Sequence, residues 1–194
     1  MTKVSHEHER QEMNTAKMNA GSGTSTKPSR VYLSLGSNVG DRATQLRSAL
    51  ARLETTGRVV AVSSFYETEP MEFTQQPWFL NCAAALETTQ TPQQLMTSIL
   101  HIEQEMGRGR LQKKGPRTID IDILVFDSAV VNSSELTIPH PALHQRRFVL
   151  EPLAEIAPEV LHPTLKKTVR ELLAALPEGQ TVRKLVKEGG FTEQ

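Results

Sequence analysis

GPRTIDIDILVF, residues 115–126, sets Ile119, Ile121, Ile123 and Val125 in alternation with Asp120, Asp122, Leu124 and Phe126. Side chains along a strand alternate between faces, so the pattern predicts a strand with Asp120 and Asp122 on one side. The β-branched residues favour a strand, and Gly115-Pro116 supplies an entry turn. A carboxylate in a mostly buried strand is costly unless its charge is compensated. By backbone rise the two aspartates stand about 6.6 Å apart, and side-chain rotation can bring their oxygens onto one or two hard cations. Mg²⁺ suits such a site, because it takes few carboxylates and completes its shell with water and phosphate oxygens. Paired metals about 3.5–4 Å apart serve in-line displacement at phosphorus. The same pair also reads as charge placed on an edge strand against aggregation.

The flanking residues bear on that choice. Arg108, Arg110, Lys113, Lys114 and Arg117 lead directly into the aspartates. Such a run is ordinarily a solvated basic face. Beside a metal site, a glycine-punctuated cationic loop also suits a polyphosphate, spreading charge stabilisation and closing out water. Arginine adds forked hydrogen bonding to phosphate. Beyond the strand, IPHPALHQRRF adds His140, His144, Arg146 and Arg147. A phosphate-binding G-x-x-x-x-G-K-[ST] loop is absent, as is an H-E-x-x-H zinc motif, and one cysteine excludes a cysteine-rich zinc site.

Working outward, the rest of the chain supplies partners for this strand. RVYLSLGSN (30–38) reads as a first strand ending in a glycine turn. Asp41 opens a helix with Ala43, Leu46, Leu50 and Leu53 on one stripe. Residues 58–70 form a second strand stopped by Pro70, and 78–89 a third. Thr91 caps a helix with Pro92 at its first position; its stripe is Leu95, Ile99, Ile102 and Met106, and Gly107 ends it. The order is β-α-β-β-α-β, which predicts an α+β, ferredoxin-like antiparallel sheet with both helices on one face. Those helices cover Ile119, Ile121, Ile123 and Val125. Leu124 and Phe126 on the other face need cover as well. Helices from 141–158 and 168–176 are expected to form this additional C-terminal layer. Fold class alone does not fix function.

Of the 194 residues, Lys and Arg total 22 and Asp and Glu total 22. A net charge of zero argues against a protein that coats nucleic acid or an anionic membrane. The lone Cys82 can form no disulfide within the chain and reads as a small core residue in a reducing compartment. No stretch approaches the ~18 apolar residues of a membrane span, and the N-terminus lacks an apolar signal region. A cytoplasmic protein is expected, monomeric or a weak homodimer. Residues 1–29 are polar and read as a disordered extension; 30–194 fit a single domain.

With these residues assembled, the chain resembles the 6-hydroxymethyl-7,8-dihydropterin pyrophosphokinases of folate synthesis. GPRTIDIDILVF carries the resemblance. LSLGSN, SSFYETEP, QPWFLN, IEQEMGRGR and IPHPALHQRRFVLEPLAEIAP support it, in order over about residues 30–160. The resemblance implies Mg²⁺-dependent transfer of the diphosphoryl group of ATP to the pterin hydroxymethyl group, releasing AMP. By position, it implies that Asp120 and Asp122 hold two Mg²⁺ ions. Arg108, Arg117 and His140 become ATP contacts, with Arg110 and Arg146 in support. Asn81 would read the polar edge of the pterin, between aromatic walls at Phe79 and Phe148. Thr68, Glu69 and Met71 match a loop that completes the pterin pocket, and Glu103 matches a position near the active site.

The residues agree with that chemistry. Phosphoryl-type transfer asks a protein mainly for positioning and electrostatic stabilisation. An aromatic slot with one amide suits a flat heterocycle, since an asparagine offers both a donor and an acceptor. Phe79 and Phe148 also fit ordinary core packing. Two other classes share part of the pattern. A two-metal nucleotidyl transferase, cyclase or phosphohydrolase accounts for the aspartates but leaves Asn81 and the two phenylalanines unexplained. An RNA-binding sheet would display stacking aromatics and a basic face, against 5% aromatic residues and zero net charge.

Overall fold

The computed structural model describes residues 27–70, 75–107 and 116–185. Most of the expected N-terminal extension, residues 1–26, therefore lies outside the described residues. The chain runs through β1 (Ser29–Ser37), α1 (Arg42–Leu53), β2 (Arg58–Val62), β3 (Tyr66–Thr68), β4 (Phe79–Thr88) and α2 (Pro92–Glu105). It continues with β5 (Asp120–Phe126), β6 (Val131–Asn132), β7 (Thr137–Ile138), a 3₁₀ turn (Leu143–Gln145), α3 (Arg147–Ile156), α4 (Val169–Ala174) and β8 (Val182–Lys184). The main sheet has the order β5-β1-β4-β3-β8, with β2 also on β4, and every pairing in it is antiparallel.

Helix starts follow local chemistry. The Asp41 carboxylate accepts from the Thr44 amide at 3.0 Å. Thr91 and Gln94 close a reciprocal capping box ahead of Pro92, and Thr168 with Glu171 does the same for α4. The inner stripes are Leu46, Ala49 and Leu53 on α1 and Leu95, Ile99 and Ile102 on α2. They pack on Leu33, Leu35, Cys82, Ala84, Ile121 and Ile123 from the sheet. Burial pushes the Cys82 thiol up to about 12, as expected for a core residue. On the opposite face, α3 and α4 bury Val149, Leu150, Leu153, Val169 and Leu172 with Ala83, Leu124 and Val125.

Three strand expectations need correction. The second strand is not continuous over 58–70. From Val62 to Tyr66 it takes four steps where β4 takes three, from Ala84 to Asn81. The extra residue is absorbed around Ser63, whose hydroxyl accepts from the Ala83 amide at 2.9 Å. On β5 the alternation also slips. Leu33 pairs with Ile123 but Tyr32 pairs with Val125, so two steps on β5 face one on β1. Such a bulge turns the following side chains over. Val125 therefore packs with α3 and α4, and Phe126 returns to the α1–α2 side, the reverse of strict alternation. Gly36 is not in a turn; it lies inside β1, and the left-handed turn glycine is Gly40 at φ 64°. No helix among the described residues is long and apolar enough to cross a membrane.

Candidate active site

Antiparallel register lines up the functional side chains. Asp120 stands opposite Gly36, Gly36 opposite Asn81, and Asn81 opposite Tyr66. One row along, Asp122 pairs with Ser34, and Ser34 with Ala83. Directly paired residues share a face, and this face is the one turned away from α1 and α2. Glu69 and Pro70, just after β3, and Arg146 and Phe148, at the start of α3, stand over its open end. Between them lies a cavity of about 460 Å³.

Most of the expected residues meet there. Asp120, Asp122, Arg117 and Arg146 line the charged part, and Thr68, Glu69, Phe79, Asn81 and Phe148 the remainder. His140 does not line it but sits close enough to feel the charges of both Asp120 and Arg146. Arg108, Arg110 and Met71 lie outside the described residues.

In the charged part, an Arg117 guanidinium nitrogen donates to the Asp120 carboxylate. The backbone of Arg117 is fixed by Asn38, which is buried: Asn38 Oδ1 accepts from the Arg117 amide at 2.7 Å, and the Asn38 amide donates to the Arg117 carbonyl at 3.1 Å. Asn38 Nδ2 also donates to Gln76 Oε1 at 3.1 Å, which ties the loop before β4 to the same point. Glu103 on α2 is buried, and its carboxylate accepts from the Ile121 amide at 2.7 Å, between the two aspartates. A helix thereby pins the strand carrying them. Among the described residues no cluster of three His, Cys, Asp or Glu side chains gathers to hold a metal. Two carboxylates alone fit Mg²⁺, which keeps water and phosphate oxygens, better than an ion needing a full protein shell.

His140 has its amide on the Leu124 carbonyl at 2.9 Å, and its Nδ1 accepts from the Ala142 amide at 3.1 Å. The neutral ring therefore carries its proton on Nε2. Burial, reinforced by the Arg146 charge and opposed by Asp120, pushes its pKa down to about 4. Between that value and the ordinary 6.5 the unfolded chain binds the extra proton, so stability rises with pH across this window and is lost as pH falls through it. Urea titrations at several pH values check this. His140→Gln should flatten the pH dependence between about 4 and 6.5, and an unchanged slope would contradict it.

In the heterocycle part, Asn81 Nδ2 donates to Thr68 Oγ1 at 2.7 Å, which sets the orientation of the amide. Its Oδ1 lies toward Gly36, where an added Cβ would come within 2.5 Å of it. Gly36 is thus a site residue that sequence reading assigned to a turn. The Arg146 guanidinium lies 5.7 Å from the centre of the Phe148 ring. Asn38 carries no signal of this role in the sequence, because its partners are 38 and 79 positions away.

An antiparallel α+β sheet with a cavity charged at one end and amide-aromatic at the other suits an enzyme acting on small molecules, and relatives specify the class. Residues 32–158 match the family described as 7,8-dihydro-6-hydroxymethylpterin-pyrophosphokinase. A 2-amino-4-hydroxy-6-hydroxymethyldihydropteridine pyrophosphokinase of Methylorubrum extorquens is 48% identical over 153 residues, 77% of this chain and 96% of that protein. The Bacillus subtilis protein of the same name is 45% identical over 131 residues, 66% of this chain and 78% of that one. The folic acid synthesis protein fol1 of Schizosaccharomyces pombe is 45% identical over 155 residues, 79% of this chain but only 21% of that longer protein. In fold, the chain is similar to the Plasmodium falciparum HPPK-DHPS structure with pteroate. The TM-score there is 0.64 at 18% identity, covering 76% of this chain and 44% of that one. The chain belongs to the 7,8-dihydro-6-hydroxymethylpterin-pyrophosphokinase family.

Proposed function

We infer that this chain transfers the diphosphoryl group of ATP to the hydroxymethyl group of 6-hydroxymethyl-7,8-dihydropterin, giving AMP and the pterin diphosphate in folate synthesis. The observation that carries the reading is the union, in one cavity, of an Asp-Arg end and an amide-aromatic end. The two ends match the two substrates.

In this reading Asp120 and Asp122 hold two Mg²⁺ ions, which would supply charge neutralisation for the polyphosphate. Arg117 exchanges Asp120 for phosphate oxygens, with Asn38 keeping its backbone in place. Arg146 joins it from the start of α3, and Arg108 and Arg110, which precede the strand in the sequence, are assigned to the same phosphates by the family resemblance. His140, neutral at pH 7, donates from Nε2 to the nucleotide without adding charge. Asn81 presents Oδ1 and its remaining Nδ2 hydrogen to the pterin edge, because Thr68 has taken the other hydrogen. Phe79 and Phe148 flank the flat ring, Thr68 and Glu69 line the pocket beside it, and Met71 is assigned there by the family resemblance alone. Positioning and electrostatic stabilisation do the work, with no protein nucleophile.

The sheet order supports a ferredoxin-like assignment, in which β2 and β3 together form the second strand and α3 and α4 the additional layer. A single buried thiol suits the cytoplasm.

Mixing the protein with ATP, Mg²⁺ and the reduced pterin should release AMP, and omitting the pterin should stop it. ADP as the nucleotide product, or equal turnover without pterin, would contradict the reading.

A further inference from the structure

The match to the family ends at residue 158, and the chain beyond it returns to residues that line the cavity. Strand β8 pairs with β3, setting Val182 against Thr68 and Arg183 against Glu67. Just before it, the Thr181 amide donates to Glu69 Oε1 at 2.7 Å, and the Glu69 amide donates back to the Thr181 carbonyl at 3.4 Å. Gln180 reaches the other wall: its Oε1 accepts from the Phe148 amide at 3.2 Å. Phe148 stands in the first turn of α3, whose N-cap residue Arg146 makes no side-chain cap. First-turn amides lack partners within their own helix, so Gln180 caps α3 from 32 residues away. Arg183 lies over Trp78, 5.1 Å from the ring centre, next to Phe79.

One short segment therefore bonds two residues of the cavity lining, Glu69 just after β3 and Phe148, one of the two aromatic walls, at the start of α3. A flat ring held between two faces needs them about twice a 3.5–4.0 Å contact apart. Small changes in that gap forfeit stacking on both sides. We propose that residues 180–183 are a positioning clamp that sets the width of the heterocycle slot, and so tunes affinity for a flat bicyclic substrate without touching the nucleotide end. The proposal rests on the pterin reading of the slot. It makes Gln180 a positioning residue, acting through Phe148.

The test uses the full chain, with Gln180→Ala and Gln180→Glu. Glutamate keeps an oxygen acceptor for the Phe148 amide. It forfeits no bond seen among the described residues, where Gln180 Nε2 is buried without a partner. By calorimetry, Gln180→Ala should bind the reduced pterin about five- to tenfold more weakly. A non-hydrolysable ATP analogue with Mg²⁺ should bind as before, and Gln180→Glu should recover the pterin affinity. Unchanged pterin binding, equal losses for both ligands, or no recovery in the glutamate variant would overturn the clamp. Hydrogen exchange without ligand decides the mechanical part separately. The Phe148 amide should exchange faster in Gln180→Ala, and unchanged protection would also overturn it. Wild-type protein that bound no pterin would instead count against the substrate reading, leaving the exchange result to judge the clamp.

Discussion

Asp122→Asn should fold as the parent does and lose about three orders of magnitude in turnover, equivalent to roughly 4 kcal/mol of transition-state stabilisation. The swap is nearly isosteric. Asp122 is half-buried in the cavity wall rather than in the packed core, so little packing is disturbed. What changes is charge at the phosphate end. A neutral amide holds a hard cation far less well than a carboxylate. The loss should fall on kcat, with the affinity for pterin kept, because Asn81 and the aromatic walls are separate from the substituted group. Steady-state AMP release and the thermal midpoint together test it. Near-parental kcat in a folded variant would remove Asp122 from the proposed machinery.

Gly36→Ala should have the second largest effect, on the strand that lies between Asp120 and Asn81 in the same cavity. The new methyl would lie 2.5 Å from Asn81 Oδ1, closer than real Cβ contacts come. Asn81 cannot yield freely, since its Nδ2 is held by Thr68 at 2.7 Å and it sits buried near the start of β4, paired on both sides. Either that hydrogen bond breaks or the strands part. Overpacking of this kind costs about 1–3 kcal/mol of stability. Displacing the recognising amide should also weaken pterin binding by about a hundredfold, the cost of leaving a buried hydrogen-bonding group unpaired. Nucleotide affinity should change little. Calorimetry with each ligand separates the two, and parental pterin affinity would show that the Gly36–Asn81 contact does not shape the slot.

Much of this site was legible in the sequence because it is local. Asp120 and Asp122 announce a shared face through period-two spacing, and Asp41, Thr91 and Thr168 announce helix starts through capping chemistry. What escaped depends on register between distant segments. One extra residue near Leu124 leaves no compositional trace, yet it exchanges the faces of Val125 and Phe126. Gly36 reads as a turn residue until β4 is laid beside β1 and Asn81 arrives opposite it. Asn38 is one polar residue among many until its hydrogen bonds to Arg117 and Gln76 are drawn. Strand β8 is three residues long, two of them charged, with no alternation to betray it, and only its pairing with β3 makes it a strand.

The central physical claim is that Asp120 and Asp122 gather divalent ions beneath the tail of a nucleotide. Electron paramagnetic resonance titration with Mn²⁺, a probe for Mg²⁺, in the presence of a non-hydrolysable ATP analogue tests it most directly. About two ions should bind per chain in the wild type, the number found in two-metal sites for phosphorus chemistry, and measurably fewer in Asp122→Asn. Equal stoichiometry and affinity in the two proteins would contradict it.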